Sequence, residues 1–234
     1  MSIKAGGRIV TDGLLLHLDA ANSRSYSGSG NTWYDLTTNS RNATLTNSPS
    51  YSSNNSGYLT FAASSSQWAT TPATATISNF TIEAWVYFNS SPSTNKYPAI
   101  LTQEFPGTNT RINYSLGFNG TYATGGWTGK LNGGFWDGAW RTTDGFIPTL
   151  NTWYHTAVTY DGSTVTQYSQ GASHSTVSYS GIATSSGGLL RIARRWDDVD
   201  YIDGRIPIIR LYNRALNSTE ILQNYNANKR RYGL

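Results

Sequence analysis

The residues that could do chemistry in this chain are few, and the carboxylates come first. The sequence has only three glutamates, Glu83, Glu104 and Glu220. Retaining hydrolysis of a glycoside needs two carboxyl groups about 5–5.5 Å apart, one as nucleophile and one as acid. The sequence has no strand with the pattern Glu-x-Asp-x-x-Glu. Glu83 is best interpreted as a structural residue on a strand, and Glu220 is expected to cap a helix. We therefore predict no catalytic residues and no enzymatic activity.

Nucleophilic hydrolysis has no better support in the sequence. The chain is rich in serine but has no Gly-x-Ser-x-Gly elbow, and its histidines are His17, His155 and His174. His155 lies on a predicted strand, where a packed, hydrogen-bonded side chain is the favoured interpretation. Because the chain has no cysteine, it has no thiolate nucleophile, no thiolate metal site and no disulfide.

A metal site built from oxygen ligands is the remaining alternative for the acidic residues. The chain has one acidic cluster, formed by Asp197, Asp198, Asp200 and Asp203. Calcium prefers carboxylate and backbone oxygens, so this ion would suit the cluster best. A solvated loop is the favoured interpretation, and we predict neither a metal ion nor another cofactor.

Aromatic side chains supply a candidate binding surface instead. The chain has 8 Trp, 16 Tyr and 7 Phe. Sugars stack on flat aromatic faces, and four tryptophans in loop-like sequence are our candidate ligand-binding residues: Trp127, Trp136, Trp140 and Trp196. The alternative is that these side chains plug the end of the domain or line an interface between subunits.

Short strands must position these residues, because strand patterns run through most of the chain. The clearest alternation places Phe80, Ile82, Ala84, Val86 and Phe88 on one side of a strand and polar or aromatic residues on the other. Asp161-Gly162 is a strong hairpin signal between two further strands. About a dozen such strands separated by turns predict an all-β fold of two packed antiparallel sheets in one domain.

The end of the chain is predicted to add one strand and one short helix. Residues 205–212 are rich in β-branched residues, and Asn217 with Glu220 three residues later forms a capping box for the helix. Pro207 suggests an edge strand or a bulge. Three apolar residues of this strand are our candidate interface residues: Ile206, Ile208 and Tyr212. Either another chain covers them or the C-terminal helix folds back over them, and the sequence leaves both alternatives open.

Charge and chain ends complete the prediction of domain organisation. We divide the chain into an N-terminal arm at 1–12, one domain at 13–226 and a basic tail at 227–234. The net charge of +4 is modest. Part of it is concentrated in a basic cluster formed by Arg191, Arg194, Arg195, Lys229, Arg230 and Arg231. Without a nucleic-acid motif, this cluster is best interpreted as a solvated edge or a contact with an acidic subunit, so nucleic acid is not expected as a partner. The sequence shows no secretory signal and no apolar run that would span a membrane.

Several motifs resemble one known family in the family's order. They are Gly13–Asp19, Trp33–Leu36, Phe80–Val86, Trp153–Gly162 and Gly204–Leu216. These stretches resemble laminin-G-like domains with the concanavalin A-like jelly-roll fold, and most closely those of structural proteins of tailed bacteriophages. The resemblance implies an all-β, two-sheet antiparallel jelly-roll sandwich with one short C-terminal helix.

The same resemblance implies a function that the residues alone do not give. It suggests a non-enzymatic structural protein of a tailed-phage virion, either a capsid decoration or a tail or fibre component. Such a protein would assemble in the host cytoplasm as a homo-oligomer, with other virion proteins as its partners. The alternative is a lectin-like adhesion module that recognises host-surface glycans. The fold alone does not decide between them, because this scaffold hosts lectins, enzymes and inert spacers.

Overall fold

The chain folds into two antiparallel sheets and one terminal helix. The computed structural model describes residues 7–74, 77–92, 96–104, 112–118, 129–179, 181, 187–195 and 200–234, apart from the side chains of Glu104 and Ile112. Sixteen strands and one α-helix are formed by these residues. Each sheet has eight strands.

Sheet A carries the terminal helix on its outer side. Its order is β14-β13-β12-β7-β16-β5-β4, with β1 paired to β16. The strands are β1 (Leu14–Asp19), β4 (Ser50–Ser52), β5 (Tyr58–Phe61), β7 (Phe80–Phe88), β12 (Trp153–Tyr160), β13 (Thr164–Ser169), β14 (Ala172–Ser178) and β16 (Gly204–Tyr212).

Sheet B packs against the inner side of sheet A. Its order is β11-β10-β9-β8-β15-β6-β3-β2. The strands are β2 (Thr32–Trp33), β3 (Ala43–Thr46), β6 (Trp68–Thr71), β8 (Ala99–Glu104), β9 (Ile112–Phe118), β10 (Leu131–Trp136), β11 (Trp140–Thr142) and β15 (Leu190–Ile192).

The predicted alternation of β7 builds the main core. Its five apolar positions from Phe80 to Phe88 all belong to the hydrophobic cluster between the sheets. Aromatic contacts cross from one sheet to the other: Phe80 stacks on Tyr114 with ring centroids 5.1 Å apart, and Phe88 meets Phe118 edge-on at 4.8 Å. The fold class predicted from the sequence is therefore confirmed.

The helix α1 (Ser218–Asn228) begins at the predicted capping box. The Asn217 side chain accepts a hydrogen bond from the Glu220 amide, and the Glu220 carboxylate accepts one from the Asn217 amide. Leu216 and Ile221 share a buried cluster with Tyr212 of the sheet. The helix thus begins where a cap satisfies its free backbone amides and where an apolar contact fixes it against sheet A.

Beneath the helix lies a buried ion pair. The guanidinium of Arg210 donates to the Glu83 carboxylate at 2.5 Å, and both side chains are at most 1% exposed. Asn224 of the helix donates to the other Glu83 oxygen at 2.6 Å, and His155 Nε2 lies 3.3 Å from the first. Burial raises the pKa of Glu83, but the charge of Arg210 and these hydrogen bonds outweigh it and lower that pKa to about 2.

A bulge at Pro207 lets β16 serve two apolar layers. The pairing with β7 shifts register between Arg205 and Ile208, so Ile206 and Ile209 both point into the core between the sheets. Ile208 and Tyr212 point to the other side, where α1 and the following turn cover them. The predicted bulge is confirmed, and β16 is an inner strand with neighbours on both sides.

The candidate interface residues must therefore be corrected. Ile206, Ile208 and Tyr212 are each 0% exposed within the single chain. The second of the two alternatives left open holds for Ile208 and Tyr212, which the C-terminal helix and the following turn cover, while Ile206 lies in the core between the sheets. These three side chains form no exposed surface that a partner could contact.

The described part of the predicted N-terminal arm and the basic tail both pack on sheet A. Val10 is buried, its amide donates to Asn224 and its carbonyl accepts from the Tyr212 hydroxyl. At the other end, residues 229–232 form a 3-10 turn in which the Tyr232 ring stacks on Trp85 at 4.3 Å. The basic segment is thus attached to the domain, and Arg231 forms a two-bond ion pair with Asp19.

In the part of the chain that the structure describes, no helix could cross a membrane. The single α-helix there has 11 residues and is too short and too polar to span a bilayer.

Candidate functional site

A wide groove lies at one edge of the sandwich. Its volume is about 690 Å³, within the range of roughly 300–1,000 Å³ that is usual for small-molecule sites. Two loop segments line it: Tyr26, Gly28, Ser29, Gly30 and Asn31 from the first, and Leu45, Asn47, Ser48, Pro49 and Tyr51 from the second. We call it the tyrosine groove.

The groove forms where the chain crosses between the two sheets. Strand β3 of sheet B ends at Thr46, and strand β4 of sheet A begins at Ser50, so the chain crosses between the sheets over residues 47–49. The loop between β1 and β2 folds over this crossing, and the Leu45 amide donates to the Asn31 carbonyl at 2.7 Å. Because both walls are tied to strands, the groove has a defined shape.

Two tyrosine rings form the aromatic part of the groove. The ring centroids of Tyr26 and Tyr51 are 5.4 Å apart and the planes are tilted by 49°. The Tyr26 hydroxyl donates to the Gly30 carbonyl at 2.9 Å, which fixes the buried ring. Burial, and then the neighbouring Tyr51, raises the pKa of Tyr26, so its hydroxyl stays protonated at neutral pH.

Glycine is required on the first wall of the groove. Gly28 and Gly30 have φ of 98° and 96°, in the region that side chains disfavour. A Cβ on Gly28 would also lie 3.5 Å from the Tyr51 ring. The absence of side chains here keeps the backbone open to a ligand and in contact with the aromatic floor.

The second wall contains a strained turn that a neighbouring amide holds in place. Asn47 and Ser48 have φ of 60° and 52°, two successive left-handed residues without glycine. The Gln67 side chain donates to both of their carbonyls, at 2.9 and 3.0 Å, and Asn47 donates to the Ser66 carbonyl. Strained backbone of this kind is concentrated at functional sites, where neighbouring contacts maintain it.

The chemistry that the groove offers is neutral. Its ten lining residues provide two aromatic rings, amide groups, serine hydroxyls and exposed backbone, and none carries a charge at neutral pH. The half-buried Tyr51 ring can stack on a flat apolar face while the polar groups exchange hydrogen bonds with hydroxyl groups, and the Tyr26 ring, only 4% exposed, supports Tyr51. It contains no group suited to proton transfer or nucleophilic attack.

The four candidate tryptophans are only partly placed. Trp127 and Trp196 lie outside the described residues. Trp136 and Trp140 are direct cross-strand partners in the hairpin of β10 and β11, and both are half-buried. Partners in register point to the same side of a sheet, and since Phe135 points into the core, both tryptophans lie on the outer side of sheet B. Their role as a sugar platform stays a prediction.

The two glutamates whose side chains are described, Glu83 and Glu220, are each held in an ion pair. Glu83 is 0% exposed beneath α1, and Glu220 binds Arg214 and the helix cap. Among the described strands of sheet B, only Glu104 carries a carboxylate, and its side chain lies outside the description.

The predicted acidic cluster is likewise held by ion pairs and hydrogen bonds where it is described. Asp200 contacts Lys96 at 3.0 Å and Arg195 at 3.2 Å, and Asp203 accepts a hydrogen bond from Ser90 at 2.7 Å. Asp197 and Asp198 lie outside the described residues, and the described residues contain no group of three metal-ligating side chains.

The fold and the groove together define a class of protein. Two eight-stranded antiparallel sheets, packed against each other and closed by a terminal helix, form a concanavalin A-like jelly roll. A laminin-G-type family model, described as the concanavalin A-like lectin/glucanases superfamily, matches residues 62–222. The chain belongs to this family. The tyrosine groove lies before the matched range, except for the supporting Gln67.

Solved structures share this fold at low sequence identity. Domain 4 of AbnA, a GH43 extracellular arabinanase from Geobacillus stearothermophilus, in complex with arabinotriose, matches with a TM-score of 0.69, 17% identity, and coverage of 91% of this chain and 98% of that domain. The binding domain of Botulinum Neurotoxin DC, in complex with SialylT, has a TM-score of 0.68 at 12% identity, over 92% of this chain and 52% of that one.

A third match is part of a larger enzyme. Trypanosoma rangeli sialidase has a TM-score of 0.66 at 15% identity, over 97% of this chain. The chain spans 36% of the sialidase, so the likeness concerns one part of that protein. No curated protein sequence matches the chain.

Proposed function

We propose that this domain is a carbohydrate-binding module without catalytic activity. The tyrosine groove carries the proposal, because it combines two aromatic rings with neutral hydrogen-bonding groups in a rigid setting. Sugar rings present apolar C–H faces and hydroxyl edges, which these two kinds of group complement. The structures in complex with arabinotriose and SialylT are consistent with glycan binding on this fold.

Removal of one ring tests the proposal. We expect the wild-type domain to bind at least one oligosaccharide on a glycan array, and Tyr51→Ala to weaken that binding roughly tenfold or more, because an aromatic contact of about 1.5–3 kcal/mol is lost. Isothermal titration with the best array ligand measures the change. Tyr34→Ala is the matched control, since Tyr34 is 49% exposed and does not line the groove. Equal affinity of the Tyr51 variant and the wild type would contradict the proposal.

The absence of catalysis is part of the same proposal. It is supported by the burial of Glu83 in an ion pair and by the shortage of carboxylates on sheet B. Incubation of the bound oligosaccharide with the domain should release no new reducing ends. Turnover that survives repeated purification would show that the domain is an enzyme.

A role in a tailed-phage virion remains a prediction from the sequence motifs. In that setting the groove would recognise glycans of the host surface, so the two hypotheses are compatible. Mass spectrometry of purified particles tests the first, together with light scattering of the isolated protein for the predicted homo-oligomer. A monomeric protein that is absent from particles would reject it.

A further inference from the structure

The tyrosine groove differs from its surroundings in having no charged lining residue. The protein as a whole carries a net charge of +4, which would attract acidic ligands from a distance. That attraction is screened beyond about 8 Å at physiological salt. Contacts inside the groove therefore decide which ligand is held, and all ten of its lining residues are neutral.

We infer that the groove selects uncharged glycans and rejects acidic ones such as sialic or uronic acids. This inference rests on the proposed function and specifies its ligand class. A carboxylate that enters the groove loses part of its hydration, and no lining residue offers a cation in return. Burial of a charge without a partner is costly, whereas a hydroxymethyl group at the same place keeps its hydrogen bonds with neutral partners.

The two walls add to this selection because they are held rigidly. The Tyr26 hydroxyl is engaged by Gly30, and Gln67 fixes the Asn47–Ser48 turn through two hydrogen bonds. None of the ten lining residues can supply a cation to a bound acid. Neutral sugars need no rearrangement, so the preorganised site favours them.

Matched pairs of oligosaccharides test the inference directly. The probes are tetrasaccharides of glucose and of galactose, each compared with the corresponding hexuronic acid tetramer, which differs only by carboxylates in place of hydroxymethyl groups. We expect the neutral member of a bound pair to have an affinity about tenfold or more above its acidic partner. We also expect neutral binding to be insensitive to salt between about 0.05 and 0.5 M.

A charge introduced into the groove should reverse the preference. Asn31 is exposed on the first wall, so Asn31→Lys adds a cation there without disturbing the core. It should narrow or invert the ratio of neutral to acidic affinity. Thr44→Lys is the control, because Thr44 is exposed on β3 outside the lining and adds the same net charge. An equal effect of both variants would overturn the inference, since net charge would then explain the preference.

The possible failures can be told apart. If acidic tetramers bind as well as neutral ones or better, the inference is wrong while carbohydrate binding stands. If no oligosaccharide of either kind binds, the proposed function fails and the inference fails with it. If neutral sugars bind but Tyr51→Ala has no effect, the groove is not the site and its chemistry does not set the specificity.

Discussion

Glu83 and Arg210 are buried together, and the energy of such a pair depends on both partners being present. Removal of one partner leaves the other charge without compensation in an apolar layer. Replacement of both by apolar groups of similar size is often neutral. The pair also attaches the helix to sheet A, because Asn224 of the helix donates a hydrogen bond to Glu83 and Asn228 accepts one from Arg210.

The variant Glu83→Gln should destabilise the domain by about 3–5 kcal/mol, because it leaves the Arg210 charge buried without its carboxylate. Urea unfolding followed by tryptophan fluorescence measures the loss. The double variant Glu83→Leu, Arg210→Met is the comparison and should recover most of it. A loss below about 1 kcal/mol in the single variant would contradict this account of the pair.

His17 makes the stability depend on pH. It is paired with Arg210 across β1 and β16, and Glu83, Asp19 and Asp35 also face it. Burial, and then the charge of Arg210, lowers the pKa of His17 to about 3. In the unfolded chain the His17 imidazole has a pKa of about 6.5 and binds a proton below that pH, whereas in the folded chain it stays neutral until about pH 3. The free energy of unfolding therefore falls as pH drops from about 6.5 to 3.

We expect this histidine to cost roughly 2 kcal/mol of stability at pH 5 relative to pH 7. In a plot of unfolding free energy against pH, the slope for His17→Gln should be smaller than that of the wild type by the amount that corresponds to uptake of about one proton on unfolding. Glu83, whose pKa is depressed, acts at lower pH: its contribution is present above about 4.5 and is lost as pH falls towards 2. An unchanged slope between pH 4 and 6.5 in the variant would reject the role of His17.

At the scale of elements, the strands with strong patterns were predicted and the polar or glycine-rich ones were not. The range of β7 agrees with the predicted alternation from Phe80 to Phe88, and the capping box of α1 also agrees with the sequence prediction. Strand β14 was missed because its sequence from Ala172 to Ser178 is polar and all seven of its residues face solvent at least in part, without an apolar alternation.

Strand β10 was missed for a different reason. Gly133 and Gly134 interrupt its pattern, and glycine weakens a strand unless space demands it. Here space does demand it, because a Cβ on Gly133 would lie 2.5 Å from a Val158 methyl group of the opposite sheet. Such a requirement comes from another strand and has no local signal in the sequence.

The tyrosine groove could not be predicted for the same reason. Tyr26 and Tyr51 are far apart in the chain, and only the crossing between the sheets brings their loops together. The sequence directed attention to tryptophans, while the groove uses tyrosines in segments rich in serine, glycine and asparagine. Asn47 and Ser48 adopt left-handed backbone conformations that mark the second wall of the groove, but their residue types alone do not reveal this conformation.

The helix cap offers a test at this scale. Asn217→Ala removes the side chain that accepts from the Glu220 amide, so we expect a loss of about 0.5–2 kcal/mol in the free energy of unfolding. Asn226→Ala is the matched control, because Asn226 is exposed on the same helix and lies away from its N-terminus. Equal losses in the two variants would show that the cap does not stabilise the helix.

For the whole molecule, the last residues act as a third layer over sheet A. The Tyr232 ring stacks on Trp85 and lies 4.8 Å from the Trp153 ring, while Arg231 binds Asp19. The layers are therefore sheet B, sheet A and the terminal segment, and the third layer covers an aromatic surface that the sheets alone would leave open to water.

Deletion of residues 229–234 should expose that surface. We expect a loss of about 3–5 kcal/mol, comparable to removal of a buried aromatic side chain, and a red shift of tryptophan emission as water reaches Trp85. Deletion of residues 233–234 alone is the control, since Leu234 is 44% exposed and Gly233 has open space around it. If both deletions leave emission and stability unchanged, the terminal layer does not protect the sheet.

At the bulge around Pro207, β16 has one residue more than the facing part of β7. Ile206 belongs to one apolar layer and Ile208 to the other, and the extra residue between them sets which face each later side chain adopts. Regular pairing of the same sequence, without the bulge, would turn the remainder of β16 over and drive the Arg210 guanidinium in among the leucines and phenylalanines between the sheets. Related sequences that fold this way should therefore either keep the extra residue as a bulge or lack it and pair regularly, and should not carry a second extra residue within β16.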